Sequence, residues 1–101
     1  MATLICTAKR VGDLESRTEE YQLAFAVDGS PKQELRIRYQ AARAYEINAA
    51  LDAAVEKARR AISEAGSESH PTDEALSQLA WRTLQSAKYE RGEEKRNTLE
   101  L

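Results

Sequence analysis

The chain has few of the residues on which most catalytic and metal sites depend. Its 101 residues include one cysteine, Cys6, and one histidine, His70. A single cysteine allows no disulfide within the chain and no site with several thiolate ligands. Its place in the apolar run 4–6 is typical of a buried, inert thiol, and an intermolecular disulfide is the alternative.

The residues that remain do not form a recognisable catalytic pattern. His70 precedes a proline in a Ser-rich stretch, where an exposed side chain is more common than a catalytic one. The four glycines are far apart, so no Gly-rich loop is present to hold a phosphate. Adjacent acidic pairs fall in predicted loops, a first helical turn or a charged tail. We therefore predict that the protein is not an enzyme and has no catalytic residues, cofactor or metal site.

Charge and apolar runs are also limited. The formal net charge is −2 at pH 7, which is too small to steer a partner and does not favour general nucleic-acid binding. No apolar run approaches the ~20 residues of a membrane span. The beginning of the chain lacks a basic stretch followed by a long apolar segment, as a signal peptide would have. These features predict a cytoplasmic protein without a membrane segment.

What the chain does contain is clear alternation of apolar and polar residues in its first half. Strands are predicted over 20–28 and 33–39, joined by a break that contains Gly29 and Pro31. A further strand is predicted over 2–10, followed by a long loop over 11–20. The apolar residues of the hairpin share one face: Tyr21, Leu23, Phe25, Val27, Leu35, Ile37 and Tyr39.

The second half follows a helical period. The first predicted helix spans 41–65, and the second begins at an N-cap, Thr72, and ends near Gly92. The predicted apolar stripe of the first helix is Ala44, Ile47, Leu51, Ala54, Val55, Ala58 and Ile62. The fold class is thus α+β, with a small three-stranded antiparallel sheet and two long helices packed on one face, in the order β-β-β-α-α. Residues 1–92 form the domain, and 93–101 are a charged C-terminal tail.

The polar face of the hairpin is the first candidate binding surface. If Leu35 and Ile37 face the core, Arg36 and Arg38 point the other way, and Lys32 in the turn extends the basic character. Such a face is often only solvated, with cross-strand pairing to acidic neighbours. The functional interpretation is a basic platform for phosphates or for an acidic partner surface. Because a nucleic-acid platform usually carries stacking aromatics, we place an acidic protein partner above nucleic acid.

The second candidate surface lies on the second helix. Trp81 falls outside its apolar stripe, on a flank that it shares with Gln85 and Lys88, and Tyr89 lies off the stripe on the far side. The indole either wraps back over the core or is an exposed anchor in a protein interface. Tyr45 lies off the apolar stripe of the first helix, so the sequence leaves the same two alternatives open for it.

Together these features predict a non-catalytic, protein-binding regulator or inhibitor. A phage or mobile-element accessory protein that acts on a host complex has this size and character. The alternatives are a nucleic-acid or nucleotide-binding module that uses the basic face, and a self-assembling structural subunit. Two helices of ~20–24 residues are long for a body with a radius of gyration near 13 Å, which favours a homodimer.

Overall fold

The computed structural model describes residues 2–101, which form a four-stranded antiparallel sheet with two helices on one of its faces. The strand order is β3-β2-β1-β4. The elements are β1 (Thr3–Val11), β2 (Thr18–Val27), β3 (Gln33–Gln40), α1 (Ala44–Glu64), α2 (Asp73–Ala87) and β4 (Glu94–Glu100). The predicted α+β class is confirmed, whereas the predicted count of three strands and the order β-β-β-α-α are wrong.

The additional strand comes from the segment that the sequence predicts as a charged tail. β4 pairs antiparallel with β1, with Leu99 beside Leu4 and Asn97 beside Cys6. In a three-stranded sheet the outer edge of β1 would carry unpaired peptide groups, and β4 supplies their hydrogen-bond partners. Residues 94–100 therefore complete the sheet and make β1 a central strand.

The hairpin of β2 and β3 follows the predicted alternation. Leu23 lies beside Leu35, and Tyr21 lies beside Ile37, on the face that the helices cover. Gly29 has a φ of 78° in the turn, a backbone conformation that residues other than glycine rarely adopt. The predicted core face is confirmed, and only Leu35, on the outer strand, stays partly exposed.

The helices cover different halves of the sheet. α1 packs over β3 and β2, and α2 packs over β1 and β4. The buried residues of α1 are four alanines (Ala50, Ala54, Ala58 and Ala61) and Ile62, while the larger Leu51 in the predicted stripe is only partly buried. Ala44, also placed in that stripe, is exposed. The small side chains let the helix backbone lie close to the sheet, which a row of leucines would prevent.

α2 begins where the sequence places it and ends earlier. The Thr72 hydroxyl accepts a hydrogen bond from the Ala75 amide at 3.1 Å, as an N-cap does. The helix ends at Ala87 rather than near Gly92, so it has 15 residues. The Cα radius of gyration is 13.1 Å, which is the value expected for a domain of this length. Excess helix length therefore no longer supports a homodimer, which stays a prediction.

Cys6 lies fully buried in the core at the middle of β1. Burial raises the pKa of its thiol from 9.0 to about 12, an effect only partly opposed by a hydrogen bond with Thr83. The thiolate is the reactive form. We therefore expect iodoacetamide at pH 9 to alkylate native Cys6 at least ~100-fold more slowly than it alkylates the urea-unfolded chain, measured by intact mass. Equal rates would place the thiol at the surface.

Candidate interaction surface

One face of the sheet is left uncovered by the helices, and we call it the open face. Its side chains alternate with the core residues along all four strands. Small side chains occupy the middle of this face, where Thr7 lies beside Ala24. In the next pair Ala26 lies beside the larger Ile5. Charged side chains surround them. The open face therefore has short side chains at its centre and charged side chains around its border.

The short side chains at the centre leave a shallow depression of about 450 Å³, which adjoins a second one of about 210 Å³. Thr7, Ala24, Lys32 and Glu94 line both depressions. The depression exists because an alanine and a threonine stand where most sheets carry longer side chains. Its floor is accessible to a side chain or a backbone segment of another molecule.

The charges around this depression are mostly basic. The first depression is bordered by Lys9, Lys32 and Arg36, and the second adds Arg96. The acidic side chains beside them are Glu34 and Glu94, which leaves a formal local charge of +2. The lining of the depression is thus locally positive. Over its four strands, however, the open face carries four acidic side chains (Glu20, Glu34, Glu94 and Glu100) and four basic ones (Lys9, Arg36, Arg38 and Arg96).

Among residues 2–101 none of these basic groups forms an ion pair at 4.0 Å or less, although Lys9 lies directly across from Glu94 on β4. Arg36 lies beside the neutral Gln22, and Arg38 lies beside Glu20 without forming an ion pair at 4.0 Å or less. Among residues 2–101, Lys9, Lys32 and Arg96 make no ion pair either. Arg38 and Lys9 thus have the acidic cross-strand neighbours of the simpler interpretation, a solvated face, but no ion pair of 4.0 Å or less forms at either position.

The structure brings the three predicted basic residues together on this face and adds two that sequence reasoning missed. Lys32, Arg36 and Arg38 all lie on or beside β3. Lys9 belongs to β1, where its alternation with buried Ala8 could have revealed it. Arg96 gave no such signal because the strand that carries it was not predicted.

The other predicted contact residues lie on the helical side of the sheet. Trp81 is partly buried against the core, with its ring 6.2 Å from that of Tyr39. Gln85 and Lys88 are partly exposed, and Tyr89 is 80% exposed, with the Lys88 ammonium 5.5 Å from its ring centre. These four residues cannot share one flat contact with the open face. Their role in partner binding stays a prediction.

A buried polar cluster lies at one end of the sheet. Arg10 is 4% exposed and Glu19 is 6% exposed, with Arg10 Nη1 and Glu19 Oε1 4.0 Å apart. The Tyr21 hydroxyl donates a hydrogen bond of 2.6 Å to the same carboxylate. Arg10 also donates to the carbonyl oxygens of Lys88 and Leu14. The guanidinium thereby ties the end of α2 and the β1–β2 loop to the sheet.

The same cluster changes the titration of two tyrosines. Burial, followed by the hydrogen bond to Glu19, raises the pKa of Tyr21 well above its usual value. Burial raises the pKa of Tyr39 to about 12, and the rings of the two tyrosines stack at 5.9 Å. Both hydroxyls stay protonated at neutral pH. The cluster stabilises the fold rather than offering an accessible acid or base.

The described residues contain neither a metal-binding cluster nor a membrane-spanning helix. Across residues 2–101, no three His, Cys, Asp or Glu side chains come together in a group that could hold a metal ion. None of the helices in that range is long and apolar enough to cross a membrane. Comparisons with protein-family models, curated proteins and solved structures gave no significant match.

Proposed function

We propose that this domain is a non-catalytic regulator or inhibitor that binds an acidic surface of a partner protein in the cytoplasm through its open face. The observation that supports this proposal is an uncovered sheet face whose basic side chains form no ion pair at 4.0 Å or less among residues 2–101. The second face of a sheet stays in solvent unless a further layer of structure packs on it. Here a partner protein would provide that layer.

The geometry of the basic groups suits carboxylates. Arg36 and Arg38 alternate with a buried residue on one strand, so their side chains leave the same face about 7 Å apart. Each guanidinium can donate two parallel hydrogen bonds to one carboxylate. The low floor at Ala24 lets a partner approach closely between these side chains and Lys9. Specificity would then come from the spacing of acidic groups on the partner.

A nucleic-acid partner is the alternative, because arginine and lysine also bind phosphates. Sheets that bind single strands usually present aromatic rings on which bases stack. Within the strands formed by residues 2–101, no aromatic side chain lies on the open face. This composition favours an acidic protein over RNA or DNA.

Charge reversal on the open face tests the proposal. Arg36→Glu with Arg38→Glu changes β3, and Lys9→Glu with Arg96→Glu changes β1 and β4. Both double variants are expected to keep the melting temperature within a few degrees of wild type, because exposed charges contribute little to stability. Both should weaken partner binding by about 2 kcal/mol or more, since like charges facing each other at an interface are costly. The measurement is affinity capture from the native cells with quantitative mass spectrometry, followed by titration of the captured protein.

The matched control reverses two arginines on the helices. Arg60→Glu with Arg82→Glu makes the same change in net charge at exposed positions away from the open face, and it should retain the partner. If both open-face variants capture the same protein as wild type, the proposal is wrong. Tight binding to a single-stranded oligonucleotide that falls steeply with salt would instead support the nucleic-acid alternative.

A further inference from the structure

We propose that two copies of this chain associate through the free edge of β3, in antiparallel orientation, to form one eight-stranded sheet. β3 pairs with β2 on one side only, so its other edge presents unpaired peptide groups. Leu35, on the helix-covered side of this strand, is left partly exposed at that edge. A second copy of β3 would satisfy the peptide groups and cover the leucine.

The charges of β3 select one register for this pairing. When the two-fold axis passes at Leu35, each Leu35 faces its copy and each Glu34 faces Arg36 of the second copy. The axis at Arg36 would place two arginines opposite each other, which offsets one of the two Glu34–Arg38 pairs that this register also forms. The axis at Ile37 would place Arg36 opposite Arg38, twice. Opposite charges directly across strands stabilise pairing, and like charges oppose it. The register at Leu35 is favoured because it forms two opposite-charge pairs within β3 and no like-charge pair there; its one like contact, Lys32 with Arg38 of the second copy, involves a residue that precedes the strand.

Both charged groups are available for this contact. Glu34 pairs with Ala24 of β2, and Arg36 pairs with Gln22 of β2. Neither of these partners carries a charge. In the part of the chain that the structure describes, neither Glu34 nor Arg36 forms an ion pair. The symmetric pairs between copies would therefore form without breaking a pair within one copy.

The helix above the edge also leaves room for the second copy. α1 packs over β3 and β2, and Gln33 donates a 2.8 Å hydrogen bond to Glu64, which marks the flank of α1 nearest the edge. At 100° per residue, Ala53 and Lys57 lie within ~20° of Glu64, Arg60 within ~40° and Ala49 within ~60°. Both alanines are exposed.

The expected spacing of the two helices agrees with these small residues. Strands lie about 4.8 Å apart, so a helix axis midway between β2 and β3 would lie ~10 Å from its copy across the dimer axis. Helices pack at 8–10 Å when the side chains between them allow it. Ala49 and Ala53 provide side chains of that size, and the longer Lys57 and Arg60 on the same flank would extend along the helices rather than between them.

A charge-swap experiment tests the register directly. Wild type should be a dimer in sedimentation equilibrium at micromolar concentration. Glu34→Arg and Arg36→Glu, each alone, should raise the dissociation constant at least ~100-fold, because each places like charges opposite each other twice. The double variant, Glu34→Arg with Arg36→Glu, restores opposite charges in the same register and should be a dimer again.

Mixing the two single variants provides a second test. One copy with Glu34→Arg and one with Arg36→Glu present two favourable pairs to each other, so an equimolar mixture should give a heterodimer in native mass spectrometry. Glu94→Arg, the same charge change on the opposite edge strand, is the matched control and should leave the dimer intact. Circular dichroism should show that every variant is folded.

Three results would overturn the proposal. The first is a wild-type chain that stays monomeric at 100 µM or above. The second is a dimer that neither single variant weakens, which would place the contact elsewhere, for example on β4. The third is a double variant that stays monomeric although it is folded. None of these results decides whether the open face binds an acidic partner, since the variant at Lys9 and Arg96 tests that face away from the β3 edge.

Discussion

Replacing Phe25 with alanine is expected to lower the free energy of unfolding by about 3–5 kcal/mol. Phe25 is fully buried in β2, beside Cys6 on β1 and Gln33 on β3, under the helical layer. The substitution removes the apolar contacts of the ring and leaves a cavity that a close-packed core fills only in part. Since a domain of this size is stable by about 5–15 kcal/mol, much of its stability should be lost. Urea denaturation monitored by circular dichroism measures the change.

Gln22 provides the control for this experiment. It lies in the same strand with its side chain exposed on the open face, so Gln22→Ala should change the free energy of unfolding by less than about 0.5 kcal/mol. A comparable loss for Phe25→Ala and Gln22→Ala would contradict the assignment of the two faces.

Glu19→Gln is expected to cost about 3 kcal/mol of stability, although it changes only one oxygen to an amide nitrogen. Glutamine can still accept the hydrogen bond from Tyr21, so that contact is retained in the variant. What is lost is the only carboxylate that lies within 4.0 Å of the buried Arg10 among the described residues. A buried charge without its counterion is strongly unfavourable. Thermal and urea unfolding would both measure the loss.

A double variant separates the charge effect from a simple packing defect. Arg10→Met with Glu19→Gln removes both charges and keeps an unbranched side chain of similar length at Arg10. Replacing both members of a buried ion pair is often close to neutral. We therefore expect the double variant to recover most of the stability lost by Glu19→Gln alone. If it is less stable than the single variant, the contacts of Arg10 with the carbonyl groups matter more than the ion pair.

The sequence predicts the hairpin well because that part of the sheet has one buried and one exposed face. The period of two in 21–27 and 35–39 is a direct result of this asymmetry, and it also places Arg36 and Arg38 on the open face. The N-cap at Thr72 is equally local, since it depends on one hydroxyl and a neighbouring amide.

β4 could not be predicted in this way because it is an edge strand with little to bury. Leu99 is its only apolar residue, and the two other positions on the same side are Lys95 and Asn97. Its pairing with β1 depends on peptide groups, which every sequence has. The basic residue Arg96 was missed for the same reason, so the extent of the open face could be known only from the structure.

The burial of Arg10 and Glu19 was also beyond sequence reasoning. Charged residues at the end of a strand are normally solvated, and no pattern distinguishes these two. Their burial results from the positions of α2 and the β1–β2 loop, which are set by the tertiary packing.

The pairing of β4 with β1 has a consequence for the order in which the protein folds. Lys9 pairs with Glu94 and Thr3 pairs with Glu100, residues 85 and 97 positions further along the chain. Closing a loop of ~90 residues costs about 2.5 kcal/mol more in chain entropy than closing the five-residue loop between β2 and β3. The hairpins and helices should therefore form first, and β4 should join last. Until it does, the outer edge of β1 is open to strands of other molecules, so refolding should be cleaner in dilute solution than in concentrated solution.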